Sequence, residues 1–181
     1  FDNEEVGSGT KQGAASTLLY DVLKRANSEL GKTEEDFYCA IASSFMLSAD
    51  NAHAVHPHHP QKTDATNCVY MNEGIVVKSH AGQKYTSDAV SVAVFKDLCK
   101  KANVPVQFFA NRSDEAGGST LGNIAMAQVS MNSVDIGLPQ LAMHSTYETA
   151  GIKDTYYMIQ VMTEFFNSHI SEVNSHSLKV D

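Results

Sequence analysis

The chain has 181 residues, with 13 Lys+Arg against 21 Asp+Glu, a net charge of −8 with histidine neutral, which argues against a general nucleic-acid binder or electrostatic attachment to a membrane. Hydrophobic residues make up 43% and charged residues 19%, as in a folded domain and unlike a disordered tail. No apolar run approaches the roughly 18 residues of a membrane-spanning helix, and three cysteines with neither a CxxC pair nor a disulfide framework favour a reducing compartment.

The chain opens at Phe1 on FDNEEVGS, which reads like the middle of a protein. Ala15, Leu18, Leu19, Val22, Leu23, Ala26 and Leu30 share one helical stripe that Gly31 ends. The acidic start Thr33–Asp36 predicts a short helix, followed by a strand near Ser44–Leu47. The His-Pro pairs between Ala52 and Asn67 predict a loop. Ile75-Val76-Val77 reads as a buried strand, and Thr86 or Ser87 as the cap of a helix carrying Val90, Val94 and Leu98. Pro105 opens a strand from Val106 to Ala110. The glycine-rich turn Gly117–Gly122 leads into a helix towards Val129, Val134–Ile136 is a further strand, and Met158, Val161, Met162 and Phe165 mark a last helix. The polar tail after Asn167 is expected to be poorly ordered or used in packing. Alternating strands and helices of this length predict one α/β unit, a sheet flanked by helices.

Three segments carry groups with chemical potential. Glu4 and Glu5 precede Gly7 and Ser8. An acidic turn in solvent is the plain alternative, but a hard divalent cation would take one carboxylate as ligand and leave its neighbour to accept a proton from water. Side chains of adjacent strand residues diverge, so that arrangement requires irregular backbone. Next, Ser48–Pro60 places Asp50 at a predicted strand end, with His53, His56, His58 and His59 following. Strand ends are where α/β folds place their sites, and imidazole with carboxylate is a zinc ligand set. A third segment, Leu141–Glu148, contains His144 at the end of an apolar run, where a capping or core histidine is the ordinary alternative. No HExxH, Walker loop or GxSxG elbow is present. Lys78, ending a buried-looking strand, is either a surface group or, facing a cleft, a point charge for an anionic substrate; Arg112 and Asp114 suit an ordinary ion pair.

Taken in order, FDNEEVGS, SADNAHAVHP, the Lys78–Tyr85 segment, NRSDEAGGSTLG and LPQLAMHSTYETAG resemble the aspartyl aminopeptidases of the M18 family, from Phe1 to about Phe166. The resemblance implies a zinc-peptidase core with a mixed sheet, of the phosphorylase/hydrolase-like kind. It implies hydrolysis of the N-terminal Asp or Glu of a peptide by a water activated at two zinc ions, with cobalt or manganese as substitutes. Glu4 would then be the general base and Glu5 a ligand of one zinc, joined by His144; Asp50 would bind the other. His53 would line the substrate pocket, Lys78 and Tyr85 would receive the acidic side chain, and Gly118 and Ser119 would bring backbone near the substrate. It further implies a cytoplasmic homo-oligomer, a dodecamer in the family.

The family pattern also has a histidine and a bridging aspartate upstream of the FDNEEVGS motif, and an inserted dimerisation domain. Residues 1–181 are therefore expected to be the C-terminal portion of the catalytic domain, incomplete at the N-terminal side, binding metal weakly and nearly inactive alone. Three alternatives remain open: an M18 aminopeptidase preferring neutral residues, a non-catalytic truncated paralogue acting in assembly or regulation, and a metal-buffering module in which His58 and His59 dominate.

Overall fold

Four short segments pair into one mixed sheet whose two central strands are buried on both faces and whose edge strands are only partly buried. In the computed structural model, which describes residues 1–174 and 177–181, these are β1 (Phe45–Ala49), β3 (Ile75–Ser79), β4 (Val106–Ala110) and β5 (Asn132–Gly137), in the order β1-β5-β3-β4. β1 runs parallel to β5 and β3 to β4, whereas β3 and β5 are antiparallel. β2 (Ala52–His53), β6 (Pro139–Leu141) and β7 (Thr149–Ala150) form a second sheet, β2 parallel and β7 antiparallel to β6.

The period-2 alternation of β3 sorts its side chains. Ile75 and Val77 join Val134 and Ile136 of β5 against Val94, Phe95 and Leu98 of α3 (Ala89–Lys101) and Val161 of α5 (Ile152–Asn167). Val76 points the other way, into a smaller cluster with Ala52, Val69 and Phe109, and Lys78 shares its parity. On that same face lie Ser48 and Asp135, with α4 (Leu121–Ala125) close against Ser48. Helices thus flank a mixed sheet, as expected from the sequence.

The cap of α3 departs from expectation. Asp88, not Thr86 or Ser87, starts the helix: its carboxylate accepts from Ser91 N at 2.7 Å, and Asp88 N donates to Ser91 Oγ at 2.9 Å. Thr86 and Ser87 bind the fully buried Asp135 instead. Thr86 donates to Asp135 Oδ2 through N at 2.6 Å and Oγ1 at 2.9 Å, and Asp135 N donates to Ser87 Oγ at 3.0 Å.

The first helix, α1 (Leu18–Glu29), begins later than its stripe suggested, and none of its residues is buried; it meets α2 (Glu34–Ala42) through an edge-on Tyr20–Phe37 contact. The loop after Ala52 contains β2 and a 3-10 turn at Pro60–Lys62, and α4 gives way to turns before Val129. The tail forms the antiparallel hairpin β8 (Ile170–Asn174) and β9 (Ser177–Val180), with Ile170, Leu178 and Val180 packed on the main core. No helix among the described residues is long and apolar enough to cross a membrane.

Candidate active site

Irregular backbone presents the two adjacent glutamates. Residues 1–17 contain no helix or strand. Asn3 N donates to Gln12 O, Ala15 N to Ser8 O, and Asn3 Nδ2 to Thr10 Oγ1 at 2.8 Å, folding the segment on itself. Gly13 permits this closure, since a Cβ there would lie 2.4 Å from the carbonyl oxygens of Gly7 and Ser8.

Glu5 meets His144 across the chain, its Oε2 against the imidazole Nδ1. His144 has φ +65°, a left-handed conformation uncommon for residues other than glycine. Its N–H donates to Glu148 Oε1 at 2.6 Å, which holds that turn. Glu5, His144 and Glu148 offer ligand atoms all within 4.8 Å of one another, the only such group among the described residues. Two carboxylates and an imidazole form a donor set that fits zinc.

Glu4 lines the same cleft. Partial burial, and then the carboxylates of Asp50 and Glu5, hold its carboxyl above the usual glutamate value, against the opposing pull of His144 and Lys78. Asp50 leaves β1 and lies outside the three-residue group. Its Oδ1 is 3.6 Å from Lys78 Nζ, and its Oδ2 accepts from Leu121 N at 3.4 Å.

Lys78 is 3% exposed. Its ammonium donates to Asn51 O at 3.1 Å and lies 5.3 Å from the centre of the Tyr85 ring. Loss of hydration lowers its pKa, while Asp50, Asp135 and Glu4 favour the charged form. His53 lines the cleft and is exposed there. Desolvation, then the charges of Lys78 and His144, lower its pKa from the ordinary value against the opposing pull of Asp50. Burial raises the Tyr85 phenol, opposed by a hydrogen bond from Asn111. Gly118 and Ser119 are exposed on the wall.

All nine residues singled out from the sequence, Glu4, Glu5, Asp50, His53, Lys78, Tyr85, Gly118, Ser119 and His144, line one cavity of about 570 Å³. His56 and His59 reach its far end with Lys62 and Arg112, whereas His58 does not line it. Arg112 forms the expected ion pair with Asp114, at 2.9 and 2.5 Å.

Four participants were not assigned from the sequence: Glu148, Asn51, Gln140 and Asn111. Glu148 stood inside a quoted motif, but a four-residue spacing outside a helix carries no signal that its carboxylate turns back to His144. Gln140 is 4% exposed; its Oε1 accepts from Asn51 Nδ2 at 2.6 Å and its Nε2 donates to Glu148 Oε1 at 3.4 Å.

Residues 1–166 match the family described as aminopeptidase I zinc metalloprotease (M18). The chain is 54% identical over 167 residues to a probable M18 family aminopeptidase 2 of Clostridium novyi, covering 92% of this chain and 39% of that protein. It is 40% identical over 168 residues to aspartyl aminopeptidase 1 of Schizosaccharomyces pombe, covering 93% and 35%. Its fold is similar to a subunit of the mApe1 dodecamer of S. cerevisiae, with TM-score 0.77 and 30% identity over 91% of this chain and 36% of that one. The chain therefore spans about two fifths of the length of the curated relatives it matches.

Proposed function

From the fact that this chain belongs to the M18 family of zinc metalloproteases, we propose that it serves as the C-terminal portion of the catalytic domain of an aminopeptidase that removes acidic residues from peptide N-termini. The observation that carries this reading is the cleft itself. It holds Glu4 beside Glu5 and His144, with Glu148 completing their donor set, and on its wall the buried ammonium of Lys78 with Tyr85.

Glu5, His144 and Glu148 would hold one zinc, and Asp50 a second; cobalt or manganese would substitute. The chemistry a zinc ion held by these residues would supply is a more acidic water and a polarised scissile carbonyl. Glu4 takes the proton of the attacking water onto its carboxylate. Burial and neighbouring anions raise its proton affinity, which suits a group that accepts this proton and then passes it to the leaving amine. His53 lines the cleft where it can donate to the substrate carbonyl, and the exposed Gly118 and Ser119 border the peptide path. Lys78 and Tyr85 receive the acidic side chain. A neutral residue there leaves the buried ammonium without its second anion, which disfavours it.

The proposal extends to a homo-oligomer, in view of the dodecameric yeast relative, and to the reducing cytoplasm, since Cys39, Cys68 and Cys99 are all free. The histidine loop has less support as a metal buffer, because none of its members belongs to the metal-competent group among the described residues.

The test combines zinc titration with hydrolysis of aspartyl and leucyl chromogenic substrates. The chain alone is expected to bind zinc weakly and turn over slowly. Glu5→Gln or His144→Ala should weaken zinc at least about tenfold, whereas Glu4→Gln should retain zinc and abolish the remaining hydrolysis. Equal loss of zinc in Glu4→Gln would make Glu4 a ligand instead. A preference for leucyl over aspartyl substrate would replace the acidic reading with a neutral one, and complete inactivity with zinc bound would favour the assembly subunit.

A further inference from the structure

Tyr85 brings a hydroxyl to the cleft, and which way its proton points decides what it recognises. A phenol oxygen has one proton to donate and lone pairs to accept with. Conjugation keeps that O–H near the ring plane, so it has two favourable directions, one on each side of the oxygen. Asn111, just beyond β4, donates from Nδ2 to Tyr85 Oη at 3.2 Å. That donor occupies one side and leaves the proton the other. Among the described residues no hydrogen bond takes the Tyr85 O–H, so it is available to an acceptor entering the cleft. Burial keeps the phenol protonated, which preserves it as a donor.

The amide of Asn111 is itself held. A Cβ at Gly117 would lie 1.9 Å from Asn111 Nδ2, so only glycine leaves room for the amide. Gly117 is fixed in turn by Lys84 Nζ, which donates to its carbonyl at 2.6 Å, and Asn123 Nδ2 ties Gln83 O to α4 at 2.9 Å. The two loops of the cleft wall are thereby locked with a donor aimed at Tyr85.

We propose that Asn111 is a specificity-positioning residue: by donating to one side of the Tyr85 oxygen it turns the Tyr85 O–H outward, towards the side-chain carboxylate of an N-terminal Asp or Glu. The inference rests on the reading of Lys78 and Tyr85 as the acidic pocket and adds the element that sets the polarity of its hydroxyl. Lys78 contributes charge; Asn111, through Tyr85, contributes direction, so that a carboxylate is preferred over a group able only to donate.

The experiment is an NMR titration of the chain with L-aspartic acid amide and L-leucine amide, read as the ratio of the two affinities. The wild-type chain is expected to favour the aspartyl ligand, and Tyr85→Phe to reduce that preference about tenfold, the scale of one hydrogen bond to a charged acceptor. Asn111→Leu should reduce it several-fold, and should add nothing in the Tyr85→Phe background. Gly117→Ala, which displaces the amide without removing it, should reproduce the Asn111→Leu effect and serves where that variant does not fold. An unchanged ratio in both variants, or full additivity with Tyr85→Phe, overturns the inference. A wild-type chain with no aspartyl preference, or a preference that survives Lys78→Met, overturns the acidic reading beneath it. Loss of preference in Lys78→Met with both Asn111 and Gly117 variants intact overturns the role of Asn111 alone.

Discussion

Asp154 offers the sharpest stability test. It lies in the first turn of α5 and is fully buried. Its Oδ2 accepts from Asn72 N at 2.5 Å and its Oδ1 from Gly74 N at 2.9 Å, so one carboxylate clamps the turn that opens β3 four residues before Lys78. Hydrogen bonds to a charged group contribute about 1.5–3 kcal/mol each. Asn72 is exposed, so water can replace its partner; Gly74 is buried and its N–H would be left unpaired. Asp154→Ala should therefore cost about 3–4 kcal/mol, the discounted sum of two such bonds, a large share of the roughly 5–15 kcal/mol that holds an ordinary domain together. Asp154→Asn keeps the shape and one acceptor while turning an amide donor against an N–H, and should cost about half as much. The assay is equilibrium urea unfolding, read at the midpoint with the slope unchanged. Asp114→Ala is the control: it removes an exposed ion pair and should change stability by less than about 1 kcal/mol. If Asp154→Ala also falls below about 1 kcal/mol, the clamp does not stabilise the fold in the manner argued.

Two further outcomes follow from protonation. Burial, Asp50 and Glu5 together raise the Glu4 carboxyl, so a carbon-13 NMR titration of the metal-free chain should find Glu4 ionising above the ordinary glutamate value. The sign is that of a disfavoured anion, and Asp50→Asn should bring the transition back down. A Glu4 transition at or below the ordinary value would remove the support for its second proton transfer, and one that Asp50→Asn leaves in place would remove Asp50 as a cause of the shift. The thiol of Cys99 is pushed up to about 12 by burial alone, while Cys39 and Cys68 are exposed. At pH 8 its thiolate fraction is roughly one in ten thousand, so a thiol reagent should label two cysteines quickly and the third only on unfolding; rapid labelling of all three would contradict the packing of α3.

The sequence made the sheet and its strongest helices legible wherever apolar spacing and burial agree, as in β3 and α3. At α1 the helical period and its end at Gly31 were legible, but not that Leu18 and Val22 stay about half exposed, because periodicity reports a face and not its partner. The capping residues near Thr86 show a second limit. Thr86, Ser87 and Asp88 are all good caps, and the cap is Asp88 while Asp135, distant in sequence, engages the other two, accepting from Thr86 and donating its N–H to Ser87 Oγ. Short strands such as β2 and β7 leave no period to read. In the site, acidic and imidazole groups were recognisable by type and motif, whereas Glu148, Gln140 and Asn111 act through folding-dependent proximity that no spacing encodes.

Those folding-dependent residues also connect the two ends of the proposed chemistry. From Lys78 the polar contacts run through Asn51 to Gln140, then to Glu148, His144 and Glu5. In this strip the groups assigned to the acidic pocket and those assigned to zinc are joined through Asn51 and Gln140. Asp50 sharpens the point, since it is the anion that now balances the buried Lys78 ammonium at 3.6 Å. On the proposed assignment a cation drawn to Asp50 weakens that balance and leaves Lys78 in greater need of a second carboxylate, the one an acidic N-terminal residue carries. On that assignment metal loading and acidic preference are linked by charge balance in a partly dry cleft. The linkage is reciprocal: an acidic ligand on Lys78 frees Asp50 for metal to the same degree that metal on Asp50 frees Lys78 for the ligand.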